Sequence, residues 1–176
     1  LVQATTYSSN NYTSPMRLYK KKRQGKFHAC LQWRHDVADF LRCFASEFAA
    51  LDGSNLHNLK HLYSHDVRFS DPLHEIQGLT ALQEYFTELY ANVSELGFTF
   101  HGYDQVQDGA GYLRWTLHYR HPRLSHGQLI EVVGCSHLLW HKKVYQHRDY
   151  FDAGALLYEH LPLMGSAIGW LKGRLA

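Results

Sequence analysis

The sequence predicts an α+β fold with helices on one face of a curved sheet, and three observations carry that prediction. Apolar residues recur at helical spacing through the first half of the chain. After Gly97 the period changes to two. The period-two segments are separated by short turn-forming stretches, as in an antiparallel meander.

Each element follows in order. Val37, Phe40, Leu41, Phe44, Phe48 and Leu51 define an amphipathic helix from Arg34 to Leu51, ended by Asp52-Gly53. Ser54 is placed to cap a short second helix through Tyr63, with Leu56, Leu59 and Leu62 inward. Val67 to Asp71 reads as a strand stopped by Pro72. Thr80 and Gln83 have capping-box spacing, and Leu79, Leu82, Phe86, Leu89 and Val93 form the stripe of a third helix. Phe98 to Val106, Tyr112 to Arg120, Leu129 to Trp140 and Val144 to Phe151 read as four strands.

The chain has 176 residues, enough for one well-packed domain. It is 45% hydrophobic and 19% charged, which is globular composition. A net charge of +2 argues for no nucleic-acid partner. No apolar run is long enough to span a bilayer, so stable membrane insertion is not expected. Cys30, Cys43 and Cys135 show no zinc or redox spacing and are expected to be free, mostly buried thiols in a reducing cytoplasm. Residues 1–30 are polar and then basic at Lys20-Lys21-Lys22-Arg23, and are expected to form a disordered leader. Residues 31–152 form the expected domain. Residues 153–176 form a C-terminal amphipathic extension of two short helical pieces, covering the pocket, a dimer neighbour or a membrane surface.

The segment Leu62-Tyr63-Ser64-His65-Asp66-Val67-Arg68-Phe69-Ser70-Asp71-Pro72, followed by Gly78 and the helix from Leu82 to Tyr85, resembles the ketosteroid isomerase and SnoaL families. The closing Arg148-Asp149-Tyr150-Phe151-Asp152 resembles the last strand of limonene epoxide hydrolases. Together they mark a resemblance to the nuclear-transport-factor-two-like superfamily over residues 34–152. The resemblance implies a cone-shaped, cystatin-like roll, with an antiparallel sheet curved around three helices and a small-molecule pocket.

By that resemblance Asp71 stands at the isomerase general-base position, where an apolar cone favours proton transfer. It reads equally as an Asp-Pro turn accepting backbone N–H groups. Positions of the family's oxyanion donors fall near Glu47 and Ser136. Epoxide hydrolases use an Asp-Arg-Asp set; Arg114 and Asp149 match two of its positions and Thr116 replaces the third. Arg114 paired with Asp149 also reads as a structural ion pair. Strand parity puts Arg114, Thr116 and His118 on one face, taken as pocket lining with Phe69 and Phe86. Trp115, Leu117 and Tyr119 then fall on the outer face, whose cover would be a second subunit or the C-terminal segment.

His57, His61 and His65 are spaced by four, but no carboxylate completes a zinc motif, and a solvated helix side is expected. No cofactor or metal is implied. The expected function is a cofactor-free isomerase, cyclase or hydrolase acting on a small hydrophobic, oxygen-bearing molecule of lipid, terpenoid or polyketide type. The rivals are a non-catalytic ligand-binding protein and a protein-interaction module.

Overall fold

The computed structural model describes residues 37–156, with Trp170, Gly173 and Arg174 beyond them. The leader and most of the C-terminal extension therefore lie outside the described residues. The first helix, α1 (Val37–Ala49), buries Leu41, Phe44, Ala45 and Phe48, spaced three and four apart. The chain then turns on the Asp52 carboxylate, which accepts both the amide and the hydroxyl of Ser54. Ser54 is thus spent on Asp52 and does not cap the next helix. A 3-10 turn (Leu56–Asn58) leads instead into the single-turn α2 (Leu59–Leu62), and Leu56, Leu59 and Leu62 face inward as expected.

Strand β1 (Tyr63–Ser70) begins four residues before the expected Val67, so Tyr63 heads a strand rather than ending a helix. A short β2 (Glu75–Gln77), absent from the sequence reading, pairs with it antiparallel. Helix α3 (Leu79–Asn92) starts on Gly78, whose φ of 91° suits a residue without Cβ. Thr80 already lies inside the first turn, so the expected capping box forms no cap bond.

The meander follows as β3 (Ser94–Gln107), β4 (Ala110–Arg120), β5 (Leu129–Trp140) and β6 (Val144–Phe151), then a one-turn α4 (Ala153–Leu156). The sheet order is β2-β1-β6-β5-β4-β3. All pairs are antiparallel except β1 with β6, which run parallel. That pairing sets Phe69 opposite His147 and Ser70 opposite Arg148, bringing the Asp71 end of β1 beside Asp149. The described residues thus form an α+β fold in which α1, α2 and α3 lie against a curved, unclosed six-stranded sheet.

Strand β4 corrects the expected parity. Leu113, Trp115, Leu117 and Tyr119 are buried against the helices, while Arg114, Thr116 and His118 face outward. Alternation separates two faces without saying which is inside. Burying the larger apolar set, at about 1.5–3 kcal/mol for each large side chain, decides it. The Trp115, Leu117 and Tyr119 face is therefore core and cannot be a subunit interface.

The cysteine expectation also changes. Cys43 is buried and disulfide-bonded, whereas Cys135 keeps a free, half-buried thiol. An odd cysteine count allows one bridge and one free thiol, and distance along the chain does not report distance in space.

Candidate active site

The two parities of β5 and β6 bring Ser136, Leu138, His147 and Asp149 onto the inner face, with Ser136 opposite Asp149 and Leu138 opposite His147. On β4, Trp115 points the same way, and its neighbour across the ladder is Gly134. A Cβ at Gly134 would lie 2.3 Å from the Trp115 ring. The absence of a side chain there lets the indole lie across β5 and reach Ser136.

These residues form one hydrogen-bonded chain. Tyr63 Oη lies 2.7 Å from His147 Nδ1, and His147 Nε2 lies 2.8 Å from Asp149 Oδ1. From the other side, Trp115 Nε1 donates to Ser136 Oγ at 2.8 Å, and Ser136 Oγ donates to Asp149 Oδ1 at 2.5 Å. Indole nitrogen only donates and an ionised carboxylate only accepts, so the donor directions are set from both ends. With His147 neutral, its Nε2–H donates to Asp149 and its Nδ1 accepts from the Tyr63 hydroxyl. Every proton in the chain thus points toward a single carboxylate oxygen.

Burial suits that arrangement. His147 is 2% exposed, walled by the rings of Phe44, Phe48 and Phe69 at 6.1, 6.1 and 5.1 Å between centroids. Burial, with the nearby Asp149 charge, pushes the Tyr63 phenol well above the usual tyrosine range, so it stays protonated as a donor. Asp149 differs from the rest of the chain: its side chain is 13% exposed, and Oδ2 makes no hydrogen bond among the described residues. One oxygen is held by two donors and the other by none among the described residues.

Asp71 lies at the adjacent strand end with its side chain 4% exposed. Its Oδ1 accepts the amides of Leu73 and His74 at 2.6 and 2.7 Å. Its Oδ2 accepts Tyr85 Oη at 3.0 Å, and His74 Nδ1 lies 3.2 Å from both oxygens. Asp71 is therefore both a turn former and a buried partner of α3, with its acceptors occupied. Tyr85 is raised above the usual tyrosine range by burial first and then by Asp71 and Asp149, which places both acids near one phenol.

The remaining sequence candidates separate. Phe69 and Phe86 are buried and pack 6.0 Å apart between centroids beside the network. Glu47 is half-buried on α1. Arg114 is 60% exposed on the outer face and donates to Asp104 at 2.8 Å, so it neither pairs with Asp149 nor shares its side of the sheet. Thr116 Oγ1 meets His101 Nε2 at 2.8 Å on that outer face, and His118 packs beside Gly97 there. Among the described residues no three His, Cys, Asp or Glu side chains are grouped to hold a metal ion.

Sequence reading misses Tyr63, Trp115 and Tyr85, and does not single out His147 from the other histidines on or beside the sheet, His74, His101, His118 and His137. The spacing of His147 and Asp149, two apart on a strand, was the one available signal, because it puts both on one face. The other three depend on contacts between distant segments.

The fold agrees with the comparisons. The sequence profile of the SnoaL-like domain matches residues 45–142. No curated protein sequence matches the chain. Among solved structures, TsrD from Streptomyces laurentii superposes with a TM-score of 0.61 at 18% identity, covering 73% of this chain and 98% of that one. A Catenulispora acidiphila protein with a ketosteroid isomerase-like fold, in complex with trimethylamine, gives 0.60 at 12% identity over 70% and 93%. A candidate SnoaL-like polyketide cyclase from Jannaschia sp. gives 0.58 at 15% identity over 72% and 94%. These identities speak to fold alone; with the profile spanning more than half of the sequence, the chain belongs to the SnoaL-like domain family.

Proposed function

We propose that this protein is a cofactor-free acid–base enzyme of isomerase or cyclase type, acting on a small hydrophobic, oxygen-bearing molecule with Asp149 as its base. The observation that carries this reading is the asymmetry of the Asp149 carboxylate, with Oδ1 fixed by His147 and Ser136 and Oδ2 open. A base held in one orientation by a supported network meets the geometric need of proton abstraction next to a carbonyl. The aromatic wall around His147 supports a hydrophobic substrate. Asp71 and Tyr85 stand beside the same base, Asp71 holding the Tyr85 phenol in place. The outward position of Arg114 removes the arginine that an epoxide-hydrolase arrangement would need, so proton transfer is favoured over epoxide opening.

The test is solvent deuterium exchange at the carbon next to the carbonyl in a panel of hydrophobic ketones, followed by NMR with the full chain. Asp149→Asn should lower exchange by roughly two to four orders of magnitude while ligand binding persists. Binding without exchange in the unsubstituted protein would refute catalysis and leave a ligand-binding protein.

Two further readings belong to the same proposal. The protein forms a homodimer through the outer face of β5, where Val133 and Leu129 are exposed at 75% and 43%. Among the described residues no helix is long and apolar enough to cross a membrane. A cytoplasmic location rested on free thiols, and the Cys43 disulfide removes that support. Assaying free thiols in freshly lysed cells would decide the compartment's redox state.

A further inference from the structure

The structure assigns a second binding site, on the opposite side of the sheet from Asp149, to Arg68 and Arg148, with a soluble phosphate monoester as its ligand. A groove of about 400 Å³ runs over the outer face of β2, β1 and β6, with Arg68, Ser70, Glu75, Gln77, Gln146 and Arg148 among its lining. Strand parity gathers these side chains, because Arg68 and Ser70 alternate with the buried Val67 and Phe69. The register then sets Gln77, Arg68 and Gln146 in one row and Glu75, Ser70 and Arg148 in the next.

Arg68 and Arg148 are diagonal neighbours across a parallel pair. A strand spacing of about 4.8 Å and a rise of about 3.3 Å per residue put their Cα atoms roughly 8 Å apart. Side chains of this length converge easily on one group from that separation. Two cations placed so closely repel each other unless an anion joins them. Among the described residues neither forms a salt bridge. Arg148 lies over the Tyr150 ring, 5.2 Å from its centroid, which leaves its donor edge open. Asp66 and Glu75 are the acids near Arg68, both exposed and neither ion-paired with it.

The chemistry selects the ligand. Two guanidinium forks supply paired N–H donors suited to a tetrahedral oxyanion, and Ser70, Gln77 and Gln146 add neutral donors around it. Glu75 opposes a purely anionic ligand but accepts hydrogen bonds from hydroxyls, which favours a phosphate carried on a polar, hydroxylated body. The groove volume matches a small metabolite. This site shares no residue with the Asp149 network, so the two proposals stand or fall separately.

The experiment is calorimetric titration of the full chain with glycerol phosphate, with inorganic phosphate and phosphatidate vesicles as separate arms. Saturable binding of glycerol phosphate is expected, weakened about tenfold or more by Arg68→Gln or Arg148→Gln. Asp149→Asn should leave it unchanged. Glu75→Gln should tighten it, a gain that misfolding cannot produce. Absence of saturable binding, affinity in either arginine variant unchanged from the unsubstituted protein, or binding confined to vesicles would each overturn the assignment.

Discussion

Substituting Gly134 by alanine tests the packing that holds the candidate active site together. The added Cβ would sit 2.3 Å from one Trp115 ring carbon and 2.7 Å from two others, against an ordinary carbon contact of about 3.5–4.0 Å. The indole would have to retreat by more than an ångström. It is 2% exposed, with Phe98 edge-on at 5.3 Å and Phe151 at 6.2 Å, so there is no open space to take it. Overpacking of this kind costs about 1–3 kcal/mol, and losing the indole bond to Ser136 adds about 1 kcal/mol. At about 2–4 °C per kcal/mol for a chain of this size, the midpoint should fall by roughly 4–16 °C. Gly102→Ala is the control, because its Cβ meets Arg114 Nη2 at the same 2.3 Å. That guanidinium is exposed and can swing away, giving up only a surface ion pair worth about 1 kcal/mol or less. Thermal unfolding of both variants decides the matter. Equal midpoints for the two would refute the claim that a fixed Trp115 ring holds the network.

Three other outcomes follow from the same geometry. Tyr63→Phe should cost about 1–3 kcal/mol in denaturant unfolding, because it leaves His147 Nδ1 buried without its donor; a change of a few tenths would sink that view. Alkali should unfold the protein: Tyr90 and Tyr119 are pushed up to about 12, burial being the main cause, while unfolded tyrosine ionises near 10. The folded state therefore holds its phenol protons longer, so this stability is complete below pH 10 and is lost as pH rises toward 12; phenolate absorbance growing without loss of structure would contradict it. Gly78→Ala should destabilise α3 by forcing a φ of 91° on a residue with Cβ, measurable as a lower midpoint in urea.

Much of the fold was legible because it depends on local patterning. The stripe of Leu41, Phe44 and Phe48 and the alternation along β4 and β5 each state a period that one element must satisfy. Tyr63 reads as helix in the sequence because Leu56, Leu59 and Leu62 precede it at helical spacing, whereas its pairing with Val144 on β6 pulls it into a strand. Strand β2 is three residues long and exists only because β1 offers an edge. Neither outcome is written locally. The inverted face of β4 shows a different limit: a charged residue at alternate positions suggested a site, but the size of the apolar set opposite it determined which side was buried.

The site itself was half legible, and the reason lies in what each acid touches. Asp71 attracted attention through its Asp-Pro setting, yet that setting also gives it the amides of Leu73 and His74, local donors that fill Oδ1. Asp149 has no such turn. Its donors come from Ser136 on the neighbouring strand, His147 two residues back and, through them, Tyr63 and Trp115 from β1 and β4. The closing Arg148–Asp152 motif marks Asp149 in the sequence, but four strands must assemble before that carboxylate has its partners, so no local pattern reveals the network around it. The same dependence orients its unused oxygen, because both donors converge on Oδ1 and leave Oδ2 without a hydrogen bond among the described residues. A carboxylate satisfied by its own turn stays bound to that turn, whereas one held by the assembled sheet can be aimed at a substrate. For that reason the proposed base in this protein is Asp149 rather than Asp71.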